Sequence, residues 1–133
     1  MSKKITVMLI DDNRIDLFIH HEFIKKMDIA HTVLEFAFAT EALKYLETND
    51  SLNWPQLILL DLHMPIMNGF EFLNKYSNLP NALKDNCNII VISSSLDTGD
   101  SDKIKNNPLV LDLIDKPINS DKLLQLLNDN GVI

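Results

Sequence analysis

Residues 5–12 read ITVMLIDD, an apolar run, Ile5–Ile10, broken off abruptly by Asp11 and Asp12. A short run without alternation suits a strand buried on both faces, and such strands belong to parallel sheets covered by helices on either side. The chain downstream repeats the figure. Arg14–Met27 carries Ile15, Phe18, Ile19, Phe23 and Met27 at helical spacing and is predicted to be a helix, with Phe18 and Phe23 as core candidates. Thr32–Phe38 is β-branched and aromatic, a second and more exposed strand with Phe36 and Phe38 as further core candidates. Thr40 is placed to cap a short helix bearing Ala42, Leu43 and Leu46. After Pro55, Gln56–Leu60 (QLILL) is a third buried strand that stops at Asp61. The turn-rich stretch His63–Gly69 (HMPIMNG) leads to a helix from near Phe70 to before Pro80. Asn88–Ser93 (NIIVIS) is a fourth strand, followed by a weak helix around Asp100–Lys105. Leu109–Ile114 is a fifth, closed by Lys116-Pro117. A last helix, capped by Asn119 or Ser120, bears Leu123, Leu124 and Leu127, with Gly131 where a C-cap glycine belongs.

Five strands alternating with five helices imply right-handed βαβ units. The expected architecture is α/β: a doubly wound (βα)5, flavodoxin-like three-layer sandwich around a parallel five-stranded sheet of order 2-1-3-4-5. At 133 residues, one domain spanning 1–133 is expected. The composition, 46% hydrophobic and 23% charged, is too apolar for a disordered chain. Twelve basic against nineteen acidic residues give a net charge of −7, which disfavours nucleic acid and anionic membrane surfaces. The single cysteine, Cys87, cannot form an internal bridge and points to a reducing compartment. Lys3 and Lys4 followed only by Ile5–Ile10 make too short a core for a signal peptide, and no apolar stretch approaches the roughly 20 residues of a membrane span. The expected location is the cytoplasm.

In doubly wound sheets, function collects at the carboxyl ends of the strands, at the switch between strands 1 and 3. Here Asp11 and Asp12 end strand 1, Asp61 ends strand 3, Ser93 ends strand 4 and Lys116 follows strand 5. Like charges this close raise one another's pKa unless a cation intervenes. Carboxylate and carbonyl oxygens suit a hard ion such as Mg²⁺, which keeps waters and phosphate oxygens in its shell. Ser93 can donate to a phosphoryl oxygen and Lys116 can neutralise another. Aspartate is itself a nucleophile toward phosphoryl groups. The rim therefore suits phosphorylation of one of its own aspartates.

These residues resemble the receiver domain of two-component response regulators, in its single-domain, chemotaxis-regulator-like form. The motifs are Leu9-Ile10-Asp11-Asp12-Asn13, Leu60 to Gly69 (LDLHMPIMNG), Ile92-Ser93-Ser94 and Lys116-Pro117, in that order and spacing over nearly the whole chain. The resemblance implies that Asp61 is the phosphoacceptor, and that Asp11 and Asp12 hold Mg²⁺ together with Asp61 and the backbone carbonyl of His63. It implies that Ser93 is the switch hydroxyl, that Lys116 binds the phosphoryl group, and that the Lys116–Pro117 bond is cis. The implied donor is a sensor histidine kinase or a histidine phosphotransfer protein. The implied output is a changed protein-binding surface on the fourth helix, fifth strand and fifth helix, including Leu109–Ile114 and Leu123–Leu127. The chain ends about one helix after Lys116, so no output domain is expected, and a monomer is the expected state, with a weak dimer as the alternative. Apart from self-catalysed phosphorylation and slow autodephosphorylation, no enzyme activity is implied.

One position departs from the pattern: the family's usual aromatic, three residues before the lysine, is Leu113 here. An alternative is therefore a receiver-like interaction module that is never phosphorylated. A flavodoxin-like electron carrier would want backbone donors after strand 1, where Asp11 and Asp12 would repel the flavin phosphate. A small aspartyl phosphatase would need an acid–base residue near Asp61 and a lid. His63 has no His or Cys at ligand spacing for its ring. His20 and His21 are read as helix residues facing solvent or core. Met64 and Met67 are read as packing, Ser94 and Ser95 as loop residues, and Cys87 has no base to pair with.

Overall fold

The period-two alternation within each apolar run decides which side chains enter which layer. In a computed structural model describing residues 4–94 and 98–133, the order is β1 (Ile5–Ile10), α1 (Arg14–Met27), β2 (Ala30–Phe36), α2 (Ala39–Thr48), β3 (Leu57–Asp61), α3 (Gly69–Tyr76), α4 (Asn81–Lys84), β4 (Asn88–Ser93), α5 (Thr98–Lys105), β5 (Val110–Asp115) and α6 (Ser120–Asp129). The expectations placed on Lys3 and Ser95 lie outside the described residues. The strands form one sheet, ordered β2-β1-β3-β4-β5, with every neighbouring pair parallel. This is the doubly wound (βα)5 sandwich expected from the sequence.

Met8, Ile10, Ile58, Leu60, Ile89 and Val91 enter one layer, against Leu43 and Leu46 of α2 and Phe72 and Leu73 of α3. Val7, Leu9, Leu57, Leu59, Ile90 and Ile92 enter the other, against Leu17 and Ile24 of α1 and Leu123 and Leu127 of α6. The central strands β1, β3 and β4 are buried almost throughout and mostly apolar because both faces are covered, whereas β2 and β5 at the edges are only partly buried.

Three local expectations are corrected. The first concerns α1, which turns Leu17, His20 and Ile24 to the sheet and leaves Ile15 (71% exposed) and Phe18 (66% exposed) in solvent, with Ile19 and Phe38 also exposed. The helix carries apolar residues on more than one face, so periodicity identifies the helix but not which face is inward. Phe23 and Met27 pack only at the margin of the core. Second, Thr40 caps nothing: α2 begins at Ala39, and Phe38 is the N-cap through its backbone alone. Third, there are six helices among the described residues rather than five. The helix ahead of Pro80 ends at Tyr76, and Pro80, with φ −56°, opens the single turn α4. The remaining caps follow the local chemistry: Asn13 caps α1, Asn119 caps α6, and Gly131 takes φ +69° after α6.

Candidate functional site

Asp11 is the first residue beyond β1, tied there by its N–H, which donates to the Phe36 carbonyl at 3.0 Å. Its Oδ1 accepts from the Asn13 N–H at 2.9 Å. Asn13 Oδ1 in turn accepts from the N–H groups of Ile15 (2.9 Å) and Asp16 (3.1 Å), which starts α1 directly behind the carboxylate. Asp61 closes β3, beside Ile92 of β4, and is only 5% exposed.

The loop after Asp61 is held from both ends. The Gly69 N–H donates to the Leu62 carbonyl at 2.8 Å, and Asn68 and Glu71 form a reciprocal capping box at the start of α3. Met64 and Met67 are buried beneath it, as expected, while His63 is exposed. At its tip the Met67 N–H donates to the Pro65 carbonyl at 2.7 Å, a three-residue turn that puts Ile66 at φ +68°.

Lys116 follows β5, its N–H donating to the Ser93 carbonyl at 2.9 Å, and the Lys116–Pro117 bond is cis. Its side chain crosses the ends of the strands. Nζ lies 2.7 Å from Asp11 Oδ2, 2.8 Å from Asp16 Oδ2 and 3.4 Å from Asp61 Oδ1. Ser93 is buried at the end of β4, paired across the ladder with Asp115.

One carboxylate oxygen each from Asp11, Asp12 and Asp61 lie within 4.8 Å of one another. Asp11 and Asp61 are buried and Asp12 is exposed, so the cluster opens to solvent through Asp12. The Asp61 carboxyl is pushed up to about 6, first by burial and next by the charge of Asp11, with Lys116 pulling the other way. One ammonium thus leaves the acids under-compensated. Hard oxygens around an unmet negative charge fit a divalent cation such as Mg²⁺. Burial works against the Lys116 ammonium, but hydrogen bonds to Asp11 and Asp16 outweigh it and hold its pKa above the ordinary lysine range. His20, buried on α1 within the field of these groups, is shifted downward, chiefly by burial.

The fold therefore gathers Asp11, Asp12, Asp61 and Lys116 into one cluster and places Ser93 at the end of the adjoining strand. Asp16 joins them without having been singled out from the sequence. An acid in the first turn of a helix ordinarily signifies only a favourable dipole interaction, and its reach to a residue 100 positions away has no local signature. Cys87 is inert: it is buried before β4, at the opposite end of the sheet, and burial pushes its thiol up to about 12.

The response regulator receiver domain model matches residues 7–128. A two-component response regulator from Cytophaga hutchinsonii superposes with a TM-score of 0.86 at 28% identity, covering 96% of this chain and 97% of that one. A response regulator receiver protein from Dyadobacter fermentans DSM 18053 gives 0.85 at 32% identity, covering 93% and 95%. The sensor histidine kinase CheAY of Helicobacter pylori is 36% identical over 80 residues, 56% of this chain but only 10% of that protein. Among the described residues no helix is long and apolar enough to cross a membrane. The match runs from the middle of β1 to the last turn of α6 and takes in every residue of the acid–lysine cluster, so the chain belongs to the response regulator receiver domain family.

Proposed function

We propose that the chain is a phosphoacceptor. An Asp61 carboxylate oxygen attacks the phosphorus of a phosphohistidine on a sensor histidine kinase or histidine phosphotransfer protein. The P–N bond breaks with its electron pair left on the imidazole, which takes up a proton, and Asp61 becomes an aspartyl phosphate. The observation that carries this reading is the 3.4 Å approach of Lys116 Nζ to a buried Asp61 with two further acids beside it. Mg²⁺ held by Asp11, Asp12, Asp61 and the His63 backbone carbonyl would neutralise and orient the phosphoryl oxygens. Lys116 supplies a fixed positive charge to a phosphoryl oxygen, and the Ser93 hydroxyl donates to another. The chain modifies itself, slowly loses the phosphoryl group again, and has no separate substrate.

Output is a shift between two pre-existing states that differ in a protein-binding surface. The face we assign is that of α5, β5 and α6, in a cytoplasmic setting. Leu123 and Leu127 are buried in the core and so are withdrawn from this face, contrary to expectation. Leu109 and Leu113 pack only partly against the opposite core and remain available to a partner.

The test is intact mass after incubation with Mg²⁺ and acetyl phosphate, on wild type and Asp61→Asn. One phosphoryl adduct on wild type alone, lost without Mg²⁺, is expected. No adduct, together with no beryllofluoride binding by NMR, would leave an interaction module that is never phosphorylated.

A further inference from the structure

The Lys116 ammonium has three N–H donors, and its contacts are unequal. Asp11 and Asp16 accept at 2.7 and 2.8 Å, ordinary distances for a charge-assisted bond, whereas Asp61 stands at 3.4 Å. Asp16 also differs from the other acids in its backing. It is rooted in the first turn of α1, whose start is clamped by the Asn13 cap, so its carboxylate cannot follow the lysine far. It is not among the three carboxylates that converge within metal-binding distance.

We infer that Asp16 is a positioning residue that restrains Lys116: it holds the ammonium toward α1 and thereby weakens the hold of the site on a phosphoryl group at Asp61. The inference rests on the phosphorylation reading above and deepens it. When a phosphoryl group is present, its oxygens must draw Lys116 out of, or share it with, the Asp16 contact. The Asp16 carboxylate is also a negative charge facing the incoming dianion through the same lysine. Both effects act in one direction. Metal binding does not relieve them, because a cation on Asp11 weakens only the Asp11 contact and leaves Asp16 as the chief anchor of the lysine. Neutralising Asp16 frees one donor and removes one opposing charge.

The test is beryllofluoride affinity at saturating Mg²⁺, by calorimetry or amide NMR, for wild type, Asp16→Asn, Asp16→Glu and each change in a Lys116→Met background. Asp16→Asn is expected to tighten binding about fivefold, the size of one partly exposed charge contact. Asp16→Glu, which keeps the charge, is expected to return toward wild type. In the Lys116→Met background the gain from Asp16→Asn is expected to shrink, since the part that acts through the lysine is lost and only the direct repulsion of the dianion remains. An unchanged or weakened affinity in Asp16→Asn overturns the restraint, and so does an equal gain with or without Lys116, which would make Asp16 a mere background charge. A wild type that binds no beryllofluoride overturns the phosphorylation reading itself, and is thereby distinguished from a wild type that binds while Asp16→Asn shows no gain.

Discussion

Lys116 Nζ stands 3.4 Å from Asp61 Oδ1, farther than from either of the other two carboxylates it touches. Asp61 is therefore the least compensated of the acids facing the lysine, and its carboxyl is pushed up to about 6 from an ordinary 3.8, burial being the first cause. The folded protein without metal holds this proton more tightly than the unfolded chain. That contribution to stability is complete below about pH 3.8 and is lost as pH rises through about 6. Above that, ionised Asp61 costs at most about 3 kcal/mol. Asp61→Asn is thus expected to stabilise the metal-free protein at pH 8, with a gain that shrinks by pH 5. Urea unfolding in EDTA at the two pH values measures it. Mg²⁺ at pH 8 should stabilise wild type and not the variant, narrowing the gap. A gain that is the same at pH 5 and pH 8 counts against an uncompensated Asp61.

A Cβ on Gly69 would fall 2.9 Å from the Leu62 Cα and 3.0 Å from the Asp61 carbonyl oxygen, both backbone atoms that cannot turn aside. The glycine is needed for close approach, since its N–H must donate to the Leu62 carbonyl at 2.8 Å to shut the loop behind Asp61. Gly69→Ala is expected to cost about 1–3 kcal/mol as overpacking and to slow adduct formation from acetyl phosphate, because the displaced backbone is that of Asp61 itself. Unfolding and intact-mass kinetics on the same preparation check both. A variant of lowered stability with undiminished phosphorylation would show that the loop yields without moving Asp61.

The orientation of α1 invites a direct comparison of two side chains. Ile24 is fully buried among the second core, whereas Phe18 is 66% exposed. Ile24→Ala is expected to cost about 2–5 kcal/mol by leaving a cavity, and Phe18→Ser is expected to stay within about 0.5 kcal/mol. The reverse ranking would restore the core role that the sequence suggests for Phe18.

That comparison marks where sequence reasoning reached and where it stopped. Strands β1, β3 and β4 could be placed within a residue or so because double-sided burial leaves uninterrupted apolar runs, and their ends are sharp because polar or charged residues, Asp11, Asp61 and Ser93, occupy the rim. The parallel sheet followed from the alternation of strands and helices, and the common doubly wound order 2-1-3-4-5 brought Asp11, Asp12, Asp61 and Lys116 together. The facing of α1 did not follow, because the residue it buries between Leu17 and Ile24 is His20, which reads as polar, while its exposed Phe18 reads as core. Thr40 misled for a simpler reason: a hydroxyl residue near a helix start is a cap only when its backbone is outside the helix, and here the backbone turns at Phe38. Asp16 was invisible because its role depends on a contact between α1 and the residue after β5, which no local pattern encodes.

Ile66 occupies the tip of the loop after Asp61 with φ +68° and is 80% exposed. A β-branched residue in the left-handed region suffers a Cβ–carbonyl clash worth roughly 1–2 kcal/mol, and an exposed side chain regains nothing by packing. The turn itself is required, because it carries the Met67 N–H to the Pro65 carbonyl and sets Met67 beneath the loop. Relieving the strain while keeping the turn should therefore stabilise the fold. Ile66→Asn tolerates positive φ with little added freedom in the unfolded chain and is expected to raise stability by about 1 kcal/mol. Ile66→Gly is expected to gain less, since glycine gives back part of the relief as unfolded-state entropy. Urea midpoints at constant m-value, in EDTA, rank the three proteins. The order expected is Asn above Gly above Ile. If Ile66 proved the most stable of the three, its exposed side chain would have to contribute more than the strain it brings, and the loop would owe its shape to contacts rather than to backbone conformation.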